Sequence, residues 1–237
     1  MASTAENTFG ARLRRAQDLL NYIQGFAGYA PPRGQESVAG FTTLINSIIA
    51  TNGNESSVQQ QFKSAVDLRQ AAFKGATTSV EKLLAPIKGA VESQFGKKST
   101  ESEAVTAIIK NMRSTKLVKP PVDPNAPAQA KTISQSERSY GSMTQMFNDI
   151  ISTLGQFTGY NPTNAAIKIA GLQATATQLT TLNNTVAQKI QALKTARASR
   201  QSLYTDLKDR VQRIKSYVKA QYGINSNEYK LIKGIQI

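Results

Sequence analysis

The chain of 237 residues contains no cysteine, no histidine and no tryptophan. It holds only 15 acidic residues against 29 lysines and arginines. Each shortage removes a class of chemistry. Without cysteine there is no disulfide framework, no thiolate nucleophile and no sulfur-ligated metal. Without histidine there is no imidazole base, so the many serines and threonines have nothing to activate them in a Ser-His-Asp arrangement. The scarce carboxylates are spread out. The closest pairs, Glu101/Glu103 and Asp206/Asp209, fall on helix surfaces rather than in an acid–base dyad or a hard-cation cluster. No glycine-rich phosphate loop occurs. The chain is therefore expected not to be an enzyme and to carry no catalytic residue, metal, cofactor or small-molecule substrate.

Long apolar runs are missing too. The most apolar stretch, 38–50, is interrupted by Thr42, Thr43, Asn46 and Ser47 and is too short to span a bilayer. The N-terminal residues lack the apolar core of a secretory signal. A cytoplasmic protein with no membrane partner is the expectation. With 40% hydrophobic but only 7% aromatic residues, any core must be largely aliphatic.

What is present is a repeat. Shifted by 131 positions, Phe26-Ala27-Gly28-Tyr29-Ala30-Pro31 lies on Phe157-Thr158-Gly159-Tyr160-Asn161-Pro162, and Gly40, Asn52 and Arg69 lie on Gly171, Asn183 and Arg200. The shift becomes 127 after four extra residues near 74–79, bringing Gly96 onto Gly223 and Ser99 onto Ser226. In all, 22 of 94 aligned positions are identical. Between the copies, 120–127 holds four prolines, which excludes a helix and favours an extended connector. The expected organisation is a first helical repeat over 1–114, a Pro-rich linker over 115–137 and a second helical repeat over 138–237.

Apolar spacing of three and four residues dominates both copies and predicts an all-α fold. First helices are expected over about 9–27 and 138–157, each ending at a Gly-Tyr-x-Pro corner formed by Gly28, Tyr29 and Pro31 or Gly159, Tyr160 and Pro162. Second helices over about 35–51 and 163–182 stop at Asn52-Gly53-Asn54 and Asn183-Asn184, read as tight turns. Long third helices, 56–94 and 185–222, run back along the second, and Ser99 and Ser226 cap a short last helix. Each copy then closes as its own antiparallel bundle of about three helices plus a terminal one. The runner-up pairs the third helices of the two copies in one six-helix body.

Two features bear on function. Arg69 and Arg200 lie inside the apolar stripe. Either each guanidinium snorkels past the core edge, or, if the third helix doubles back, at least one is buried at the Gly-Tyr-x-Pro corner of its own copy, where it can satisfy helix-terminal carbonyls. The second feature is a basic stripe. From Lys189 to Lys219 nine basic residues face two acids, and Lys189, Lys194, Arg197, Lys208, Arg210, Arg213, Lys215 and Lys219 form a candidate surface for an anionic partner. Only Tyr204 interleaves with them, so base stacking has little support.

The paired Phe-x-Gly-Tyr-x-Pro corners resemble those of a family of uncharacterised tandem-repeat helical cytoplasmic proteins of Bacteroidota-type bacteria. So does the ending, with Ala196-Arg197, Arg200, Leu203-Tyr204, Val211, Val218-Lys219, Tyr222-Gly223, Ser226, Tyr229-Lys230 and Gly234. The resemblance covers almost the whole chain. It implies a tandem all-helical fold and a bacterial source, and brings no activity or ligand. From the residues themselves, the leading expectation is a non-catalytic structural or interaction protein that self-assembles through its duplicated repeats into a homo-oligomer or filament. The alternative is a basic protein that binds nucleic acid or the ribosome through charge.

Overall fold

A computed structural model describes residues 8–113 and 139–237. Among them there is no strand, and the fold is all-α. The helices are α1 (Phe9–Gln24), α2 (Val38–Gln70), α3 (Val80–Phe95), α4 (Thr100–Arg113), α5 (Tyr140–Gly155), α6 (Ile169–Tyr222) and α7 (Asn227–Ile232). The expected linker over 115–137 lies outside the described residues.

Helix starts follow side-chain chemistry. Thr8, Ser99, Ser139 and Ser226 each offer a hydroxyl oxygen to a backbone N–H three residues on, satisfying one of the donors that a helix N-terminus leaves bare. The corner glycines Gly28 and Gly159 have φ of +74° and +90°, a region that favours glycine. At both corners the tyrosine hydroxyl donates to the carbonyl seven residues later: Tyr29 to Glu36 at 2.7 Å and Tyr160 to Ile167 at 2.8 Å. The next helix then starts so close to its corner that a Cβ at Gly40 would stand 2.1 Å from the Gly34 carbonyl oxygen. A Cβ at Gly171 would stand 2.3 Å from that of Ala165.

The largest departure from expectation is at the asparagines. Asn52-Gly53-Asn54 and Asn183-Asn184 do not turn the chain; α2 and α6 run straight through them for 33 and 54 residues. A glycine within a helix costs about 1 kcal/mol relative to alanine, which tertiary contacts readily outweigh. The asparagines use their amides sideways instead. Asn52 Nδ2 donates to the Tyr204 hydroxyl at 3.0 Å, and Asn183 Nδ2 donates to Thr144 Oγ1 at 3.1 Å. The break falls further on in the first half only. A π turn at Ala71–Gly75 and a short irregular segment separate α2 from α3, where the sequence carries its four extra residues. Four residues advance a helix by about 400°, so keeping them helical would rotate the downstream apolar face by about 40°. Ejecting them preserves its phase.

An unbroken helix cannot fold back on its own start, so neither repeat closes as the expected bundle over 1–114 or 138–237. The compact units cut across those boundaries. One unit joins the chain up to Gln61 with Ile190–Ile237; the other is Phe62–Lys189. In the first, α1 and the start of α2 share a core with the end of α6 and with α7: Leu19, Ile23, Phe41 and Ile48 pack with Tyr204, Leu207, Ile214 and Val218. In the second, α3 and α4 share a core with α5 and the start of α6: Phe73, Leu84, Ile87 and Ile109 pack with Phe147, Ile150, Leu154 and Leu172.

Candidate functional site

In both units arginine sits on an aromatic ring from the opposite half of the sequence: Arg200 on Phe9 and Arg12 on Tyr204 in the first, Arg69 on Tyr140 in the second. In the first unit, Tyr204 on α6 is fully buried against Phe9 on α1, with ring centroids 4.7 Å apart. The Tyr204 hydroxyl donates to the Phe9 carbonyl at 2.8 Å, and the Arg12 guanidinium donates to the Tyr204 carbonyl at 3.0 Å. Arg200 lies one turn earlier on α6, its guanidinium carbon 4.4 Å from the centre of the Phe9 ring. In the second unit Phe73 meets Tyr140 at 4.8 Å, and the Arg69 guanidinium carbon is 4.1 Å from the Tyr140 ring centre. A guanidinium over a ring face gains from the ring's quadrupole, most where water is excluded.

The two seats differ in charge balance. Arg200 Nη1 donates to Glu55 Oε2 at 2.8 Å, and Arg197 Nε donates to Glu55 Oε1 at 3.2 Å. Glu55 is buried, and the Arg200 side chain is 20% exposed. In the sequence alignment Glu55 falls on Val186, so the valine supplies no matching carboxylate for Arg69. Neither arginine reaches its own Gly-Tyr-x-Pro corner. That expectation required α2 and α6 to double back, and they do not.

The corner carbonyls are met by other side chains. Tyr222 donates its hydroxyl to Ala27 O at 3.0 Å, and Gln94 Nε2 donates to Gly159 O. Arg210 Nη1 donates to Gln35 O at 3.1 Å and to Gly40 O at 3.3 Å. Arg210 thus ties the start of α2, held in place by a bidentate pair with Asp206 four residues before it. Sequence reasoning placed Arg210 on the outer basic stripe, because nothing short of the exchanged packing shows α6 passing the start of α2.

Most of the proposed anionic-partner surface has partners within the chain. Arg197 is paired with Glu55, and Arg210 is tied as above. Arg213 lies 3.6 Å from the buried Glu36, whose other carboxylate oxygen is 3.6 Å from Arg33. Lys215 Nζ donates to the carbonyls of Lys233 and Ile235, and burial pulls its ammonium below the ordinary lysine range. Lys189 belongs to the other unit and is also engaged. Lys194, Lys208 and Lys219 are exposed, with no ion pair among the described residues. A groove between α3 and α4 is lined by Lys88, Lys97 and Lys110. Glu92 and Glu103 share it, and Lys88 is 3.6 Å from Glu92. Among the described residues no group of three or more acidic side chains could hold a metal ion.

The corner tyrosines carry a pH signature. Burial raises both hydroxyls, Tyr29 strongly and Tyr160 up to about 12, from an ordinary value near 10. A raised native value means the unfolded chain releases these protons first as pH rises. The stabilisation is whole below about pH 10 and is lost progressively towards pH 12. Urea midpoints are therefore expected to fall between pH 10 and 12, and Tyr160→Phe should make that fall shallower while lowering the midpoint at pH 7.

No helix among the described residues is long and apolar enough to cross a membrane. No family model, no curated protein and no solved structure matches this chain.

Proposed function

We propose that the protein is a non-catalytic structural protein, built from a duplicated helical repeat, that assembles with itself. The observation that carries this reading is the composition of the two units: each joins helices of one half to helices of the other. The chain already performs internally the association that the reading assigns to it. The duplication is supported by matching ties at matching positions. They include the Tyr-to-carbonyl bonds at both corners, the arginine seats at Arg69 and Arg200, and the edge-on ring pairs Phe26–Tyr222 and Phe95–Phe157. On this reading the residues 115–137 act as connector between repeats, and most of the basic stripe stabilises the fold. The kinship with cytoplasmic tandem-helical bacterial proteins belongs to the same proposal.

A second reading, charge-driven binding of nucleic acid or the ribosome, is favoured by the net charge of +14 and by exposed Lys194, Lys208 and Lys219. The two separate by salt. Light scattering on the purified protein should give particles larger than one chain at both low and physiological salt, unchanged by added nucleic acid. Apolar contacts survive screening, whereas phosphate binding weakens by orders of magnitude over that range. A monomer that shifts in size only with nucleic acid, and loses the shift as salt rises, favours the second reading instead.

A further inference from the structure

We propose that a second copy of this chain is taken up by exchange of halves: residues up to Arg113 of one copy close on residues from Ser139 of the other, and the reverse. The proposal rests on the self-assembly reading and names its partner and its surface.

Two observations lead there. First, neither half completes a unit by itself. In the first unit α1 and the start of α2 depend on the end of α6 and α7. Across that seam run the Tyr204–Phe9 stack, the Arg12 bond to Tyr204 O and the Tyr222 bond to Ala27 O. In the second unit the seam carries Phe73 on Tyr140 and Phe95 on Phe157. Second, the sequence positions that read as turns, Asn52-Gly53-Asn54 and Asn183-Asn184, are straight helix. A hinge opened into a helix is how an element leaves its own chain and pairs elsewhere. Here it commits each half to an outside partner. The halves fit each other whether one chain or two supplies them, so a second copy is taken up wherever it offers the better partner.

The test makes the second copy the better partner. Phe41 and Ile214 are fully buried in the first unit, one from each half. Phe41→Asp and Ile214→Asp chains, tagged differently, each lose the first unit and keep Phe62–Lys189. After the two are unfolded together in urea and refolded together, we expect a heterodimer. In it the intact first half of one chain meets the intact second half of the other. Sequential capture on both tags should recover at least tenfold more dimer than two differently tagged Phe41→Asp chains give. The dimer should also regain the urea transition of the first unit. If the aspartate chains precipitate alone, Phe41→Ala with Ile214→Ala asks the same question. No heterodimer from either pair, while wild type refolds normally, overturns the exchange. Wild type that forms larger particles without heterodimer complementation would leave assembly through another surface. Complementation by a wild type that stays monomeric would keep the exchange and sink native assembly.

Discussion

Residues 1–113 expressed alone should show little cooperative unfolding and much less helix than their share of the intact protein. A bundle complete within 1–114 would survive such a cut. In this fold the cut strips the first unit of its second half and leaves Leu19, Ile23, Phe41 and Ile48, all at most 1% exposed in the intact chain, facing water. Each such side chain forfeits about 1.5–3 kcal/mol, together about 6–12 kcal/mol, which is the whole stability of an ordinary domain. The second unit fares no better, since α3 and α4 lose Phe147, Ile150 and Leu154. Mixing 1–113 with 138–237 should restore the far-ultraviolet circular dichroism of the intact chain. Cutting folded protein at a protease site placed between Lys119 and Pro127 should leave the two pieces eluting together. A stable, cooperative 1–113 fragment would refute the interleaved units.

That prediction turns on a detail that local sequence signals misread. Helical periodicity was legible, and so were the corners at Gly28 and Gly159 and the caps at Ser99 and Ser226, because capping and positive φ are decided within a few residues. The asparagine runs carry the same local signal as a turn. What keeps them helical is Tyr204 and Thr144, lying 152 and 39 residues away, whose hydroxyls accept the asparagine amides. Once those turns are read wrongly, everything downstream shifts. Arg69 and Arg200 are assigned to corners they do not approach, and Arg210 and Arg213 are assigned to solvent while Gln35, Gly40 and Glu36 hold them. The four extra residues were visible as a shift in alignment offset, but a shift alone does not say whether a helix bends or breaks. The π turn at Ala71–Gly75 is the answer for this chain.

Replacing Glu55 by valine, the residue at the aligned position 186, should destabilise the first unit by about 2–3 kcal/mol. Burying the ion pair is costly in itself, and the cost is recovered only while both partners are present. Without the carboxylate, the Arg200 guanidinium stays four-fifths covered over the Phe9 ring with its strongest acceptor gone. Arg197→Ala removes a partner that is 54% exposed, so its cost should stay within about 1 kcal/mol. The informative variant is the double one. Glu55→Val with Arg200→Leu removes both charges and their desolvation together, and an apolar pair of similar volume is often as stable as the ion pair it replaces. The double variant should therefore recover most of the loss caused by Glu55→Val alone, giving a coupling of about 1–3 kcal/mol in a double-mutant cycle. Arg69 offers the internal comparison. It sits on Tyr140 with no carboxylate partner among the described residues, so Arg69→Leu should cost less than Arg200→Leu made alone, which leaves the buried Glu55 with only the half-exposed Arg197. Urea unfolding of the five variants at pH 7 measures all of these differences. Equal losses for the single and double changes would mean that the carboxylate acts through packing rather than through its charge.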